Sequence, residues 1–172
     1  MTEQQKHEIS TVADRTITLR LSDADCERLA KKAGEVGLTA GDLLKEFVGD
    51  LVDGTYSNGS DERMYAQQWF DRVGFEHQAD KTFLRWLLQY GDVHDFLTRY
   101  SMIEECKEDL ASPEPMDSKE SNQLEMIYQQ ERLDEAYKEY CADCWNCTLE
   151  PYDAAVERIL KWEAELQALR GY

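Results

Sequence analysis

Apolar residues along this chain repeat at two different spacings, and the change from one to the other divides it. In Thr16-Ile17-Thr18-Leu19-Arg20-Leu21 the apolar side chains are Ile17, Leu19 and Leu21, while Thr16, Thr18 and Arg20 face the other way. Period-two alternation predicts a β-strand with one buried face. Ser22 with Asp25 three residues on is a helix-start signal. Beyond it Cys26, Leu29, Ala30, Ala33 and Val36 recur at helical spacing, and Gly34 and Gly37 close that helix. Thr39 with Asp42 predicts a second start. Leu43, Leu44, Phe47, Val48, Leu51 and Val52 then form a second apolar stripe.

After this strand–helix–helix stretch the spacing stays helical. Residues 54–61, rich in glycine, serine and asparagine, read as a linker. Helices are predicted over 61–73, over 80–90 with Gly91 as stop, and from Asp92 through Ile103. A break falls at Ser112-Pro113-Glu114-Pro115, followed by a long Glu/Gln-rich helix from 119 to about 143 and a last one from Pro151 to about Arg170. The fold class expected is mainly α. It comprises a polar tail over 1–14, a strand–helix–helix dimerisation module over 15–53, and an acidic helical domain over 62–172. The aromatics Trp69, Phe70, Phe75, Phe83, Trp86, Tyr90, Phe96 and Tyr100 fall at helical spacing and read as core.

One strand and two short helices cannot bury their own apolar face, and the strand leaves both edges unpaired. Pairing with the same strand of a second copy solves both problems, with Ile17, Leu19 and Leu21 as the dimer core. Over residues 15–52 the pattern resembles the ribbon-helix-helix family. That resemblance implies a homodimer whose outward strand residues Thr16, Thr18 and Arg20 read duplex DNA. It also implies that the turn Gly37-Leu38-Thr39-Ala40-Gly41 holds phosphate, in a repressor or a plasmid-mobilisation accessory protein. The turn departs from the pattern: it has no Lys or Arg, and Asp42 stands in the first helical turn.

Charge changes the picture. The chain has 172 residues and a formal net charge of -17. DNA affinity rests on phosphate neutralisation, which residues 1–53, with seven basic and eleven acidic side chains, serve poorly. The charge is most negative over 111–172, at six basic against fourteen acidic. There Glu131, Glu135, Glu139 and Asp143 follow at four-residue spacing, a carboxylate every ~6 Å along a helix. Glu104, Glu105, Glu108 and Asp109 form a second cluster. Such a face is either a solvated surface or an imitation of a phosphate backbone that attracts a protein with a basic nucleic-acid channel.

Cys141-Ala142-Asp143-Cys144-Trp145-Asn146-Cys147 is the one stretch with metal chemistry in it. C-x-x-C-x-x-C supplies three thiolates where zinc takes four ligands, and His94, Cys106 or Cys26 would be the fourth only through the fold. The same three positions lie near one helix face, as small core residues would. Buried thiols are the reading preferred over zinc, and no cofactor is expected. The polar start lacks a signal segment and no apolar run approaches membrane length, so a cytoplasmic protein with reduced thiols is expected. No Walker loop, dinucleotide glycine pattern or nucleophile elbow is present, so an enzyme is not expected.

Taken together, acidity and organisation make the chain similar in character to the small acidic anti-CRISPR proteins of phages and mobile elements. That resemblance implies an inhibitor of a basic nucleic-acid-binding protein, a Cas effector such as Cas9, and the carboxylate row Glu131, Glu135, Glu139 and Asp143 is the contact expected from its spacing.

Overall fold

The structure, a computed structural model, describes residues 2–75, 80–111, 116–144 and 148–171. The chain divides into two compact units, Met1–Ala79 and Asp80–Tyr172.

The first unit holds α1 (Glu3–Ser10), α2 (Asp23–Gly34), α3 (Ala40–Leu51) and α4 (Ser60–Val73). α1 lies within the stretch read as a tail. Thr2 caps it through the amide of Gln5, and the Gln5 side chain returns to the Thr2 amide. Ser22 and Thr39 cap α2 and α3 as their spacing predicts. The strand expected over Thr16–Leu21 does not form: residues 12–22 carry neither helix nor strand, and every regular element among the described residues is a helix. A strand exists only against a hydrogen-bonded neighbour, and a lone alternating segment finds none within its own chain. The strand–helix–helix module expected over 15–53 is therefore overturned, and the mainly α class stands.

The stretch read as a linker is a built turn. The Asp50 carboxylate accepts from the Asn58 amide (2.7 Å) and the Asn58 side chain (2.9 Å). The Gly54 amide donates to the Gly49 carbonyl at 2.7 Å. A Cβ on Gly49 would stand 3.0 Å from the Tyr56 carbonyl oxygen, so the return of the chain needs glycine there. α4 then packs on α3, with Phe47 and Trp69 edge to face at 5.6 Å.

Helices α5 (Phe83–Gln89), α6 (Val93–Ala111), α7 (Met116–Asp143) and α8 (Tyr152–Arg170) make up the second unit. α6 and α7 run antiparallel, with Arg99 bonded to Gln129 and Asp109 to Asn122. The core centres on Phe83, which meets Phe96, Tyr137 and Tyr140 at ring distances of 5.3–5.5 Å. Leu87, Leu133, Ala155 and Ile159 complete its centre. Aromatic pairs in such tilted and edge-on arrangements add about 0.5–1.5 kcal/mol beyond their area.

The two units differ sharply in burial. The second buries thirteen large or small apolar residues, whereas Ala33 and Ala66 are the first unit's buried ones among the described residues. Of the aromatics read as core, Phe83 and Phe96 are buried, and Phe70, Trp86 and Tyr100 are half-buried. Trp69, Phe75 and Tyr90 are exposed.

Candidate functional site

Helix α7 is the longest element, and its side chains fall into two opposed stripes. At 100° per residue, Met126, Gln129, Leu133 and Tyr140 cluster on one side, and these pack into the core or are buried. On the opposite side lie Leu124, Ile127, Tyr128, Glu131, Glu135 and Glu139, all exposed. Three of the four predicted partner-binding carboxylates therefore share one outward face.

The fourth does not. Residues four apart gain 40° per step, so by Asp143 the row has turned towards α5. There the Asp143 carboxylate accepts from the Trp86 indole N–H at 2.8 Å. Within the row Arg132 pairs with Glu135 at 2.6 Å and lies over the Tyr128 ring, its charge centre 5.6 Å away. These bonds and the nearby Glu135 charge hold the Arg132 guanidinium above its usual range, the Tyr128 side chain contributing most.

The three apolar residues that precede the carboxylates went unread in the sequence. Leu124, Ile127 and Tyr128 are 65%, 52% and 48% exposed. Their i, i+3, i+4 spacing was visible, but a second apolar stripe opposite the core stripe has no packing role inside the unit. α7 thus presents an apolar patch that passes along one face into a carboxylate row.

What holds that face rigid is polar as well as apolar. Arg99 donates to Asp95 at 2.7 Å and to the buried Gln129 at 2.8 Å, and Gln129 donates on to Glu125 at 2.6 Å. The Asp95 bond raises the Arg99 pKa against the opposing effect of burial. Tyr140 is buried against its own core and donates to the Lys81 carbonyl at 2.8 Å, and burial pushes its hydroxyl upward, so the proton stays on the donor. Tyr137 donates to the Glu150 carbonyl. Glu150 in turn accepts from the Phe83 amide and from Arg158.

In the second acidic cluster Glu105, Glu108 and Asp109 are exposed, and Glu104 pairs with Lys107 at 2.8 Å. Cys106 among them is buried. Burial first, then Glu125, Asp109 and Glu105, push its thiol upward, which leaves it a poor nucleophile.

Of the cysteine cluster, Cys147 lies outside the described residues. Cys141 is half-buried and free at the end of α7, and Cys144 is buried and disulfide-bonded, against the expectation of reduced thiols. Of the residues considered as a fourth zinc ligand, Cys106 is free and buried on α6. His94 stands 6.2 Å from the Trp162 ring, and Cys26 is exposed in the first unit. Among the described residues no three His, Cys, Asp or Glu side chains are grouped to hold a metal, and no helix is long and apolar enough to cross a membrane.

Thr16, Thr18 and Arg20 are exposed, as are Ile17, Leu19 and Leu21. The turn expected to hold phosphate is occupied by the chain's own carboxylate. Asp42 Oδ2 accepts from the Thr39 amide (3.1 Å) and hydroxyl (2.5 Å), and the Thr39 hydroxyl side chain receives the Asp42 amide at 3.1 Å. The Thr39 hydroxyl holds the Asp42 carboxyl below its ordinary value, which keeps a charged carboxylate in that turn.

Clefts in the second unit include one of about 190 Å³ beside α5, lined by Lys81, Arg85, Trp86, Tyr90 and Asp143, and a larger one of about 560 Å³ lined by His94, Tyr100 and Glu104 of α6 and by Leu160 and Glu163 of α8. No protein-family model matches the chain, and neither a curated protein nor a solved structure does.

Proposed function

We propose that the chain is an interaction protein that binds and blocks a basic nucleic-acid-handling protein, in the manner of an anti-CRISPR inhibitor acting on a Cas effector. The observation that supports this is the outward face of α7. Glu131, Glu135 and Glu139 line it at one-turn spacing, away from the core, on a helix held by Leu133, Tyr140 and the Arg99–Gln129 bond. Residues 80–172 carry 21 acidic and 10 basic side chains. Such a field steers a basic partner towards the face and repels nucleic acid. The apolar patch Leu124, Ile127 and Tyr128 supplies what charge alone does not, an area that excludes water on contact.

The DNA-reading alternative rests on a strand that residues 16–21 do not form here and on a turn in which Asp42 stands. The experiment is binding of the full chain to a guide-loaded Cas effector beside plain duplex DNA at low salt. Binding to the effector that weakens roughly tenfold or more on Glu131→Lys, Glu135→Lys and Glu139→Lys together, with unchanged circular dichroism, is expected. Equal binding by that folded triple variant would refute the role of the face.

A further inference from the structure

The first unit leaves many of its large apolar residues exposed. α3 is the most apolar of its helices, yet none of its residues is buried. Its apolar positions, Leu43 and Leu44 through Phe47 to Val48 and Val52, sweep an arc of about 180°. α2 and α4 cover part of that arc, and Val48 and Val52 stand 45% and 66% exposed at its open end. Ile17, Leu19 and Leu21, at 61%, 54% and 48%, are uncovered in the same unit. With Phe47, 43% exposed, these are the large apolar residues that α3 and residues 17–21 leave to a partner.

We infer that a second copy of this chain covers this apolar surface, making the protein a homodimer through its first unit. Charge selects the occupant. Residues 15–52 carry six basic and seven acidic side chains, a net of -1, while the rest of the chain carries -16. Two copies approach there against less repulsion than at the second unit, where residues 80–172 carry a net of -11. A basic partner, by contrast, is drawn to the second unit and gains no charge pairing at the first. The mixed signs on α2 and α3, with Arg28, Lys31, Lys32 and Lys45 beside Asp25, Glu35 and Glu46, can pair across a twofold axis.

The test is sedimentation equilibrium of the full chain from sub-micromolar to about 100 micromolar, a span wide enough to bracket a typical dimer affinity. A mass of twice 20.0 kDa at the upper end supports the proposal. A mass of 20.0 kDa throughout overturns it and assigns the surface to a different protein. Val48→Asp with Val52→Asp alters exposed positions and is expected to weaken the dimer by a hundredfold or so. A folded double variant that dimerises as tightly as the parent overturns the placement. If that variant does not fold, hydrogen exchange of the unmodified chain decides. Protection of α3 and residues 16–21 that rises with concentration supports the interface, and protection that does not change rejects it.

Discussion

The Trp86 indole and the Asp143 carboxylate meet at 2.8 Å across 57 residues of chain, joining α5 to the last turn of α7. This bond ties the end of the acidic row, still exposed, to α5. Trp86→Phe keeps the ring beside Phe83 and loses the N–H. A net loss of about 0.5–1.5 kcal/mol is expected, seen as a lower denaturation midpoint with unchanged helix content. Asp143→Asn, which keeps an acceptor, should cost less. Neither change should weaken partner binding as much as Glu135→Lys does.

Phe83 is the ring on which the second unit closes. Phe83→Ala should cost about 3–5 kcal/mol, enough to unfold a marginal unit. Tyr140→Phe removes only the hydroxyl that reaches the Lys81 carbonyl and should cost about 1 kcal/mol. Urea titrations of both variants, followed by tryptophan fluorescence, measure the ratio.

Gln129 is buried and has two partners, Arg99 and Glu125. Arg99→Met strands its carbonyl oxygen and should cost about 1–3 kcal/mol. Arg99→Met with Gln129→Leu removes donor and acceptor together and should recover most of that loss. A double-mutant cycle by thermal denaturation gives the coupling; additive effects would show that the bond contributes nothing.

Acid should loosen the caps of α2 and α3. The Ser22 hydroxyl, then Arg28, hold the Asp25 carboxyl below its ordinary value, and the Thr39 hydroxyl does the same for Asp42. For a carboxylate depressed on folding, the unfolded chain binds protons first. Its stabilisation is complete above the unfolded value near 3.8 and is lost as pH falls through the folded one. Helicity of the first unit should therefore fall as pH is lowered below about 4. Asp25→Asn with Asp42→Asn should flatten that part of the circular dichroism titration.

Helical periodicity and capping residues made most of the architecture legible: Ser22, Thr39, Gly91 and Pro151 stand where elements start or stop. Three features were not legible, for different reasons. Alternation at 16–21 signals a strand only if a neighbour exists to pair with, and a neighbour is not a property of the segment. In the turn after α3, glycine and asparagine signal irregular chain but not that Asp50 would bind Asn58 and lock it. The carboxylate row was visible as spacing. Its limit at Glu139 was not, because that depends on where α5 places Trp86.

Residues 12–22 lie between two helices without regular structure, with Arg20 exposed among exposed neighbours. To a protease this is a ready substrate, since cleavage needs several residues free to lie extended in the enzyme's cleft. Cutting after Arg20 would release α1 together with Ile17 and Leu19, two of the three apolar residues of the alternation, while leaving α2 through α8 connected. Under trypsin a dilute solution should therefore be clipped near the start of the chain, and a concentrated one, with that segment occupied, should resist.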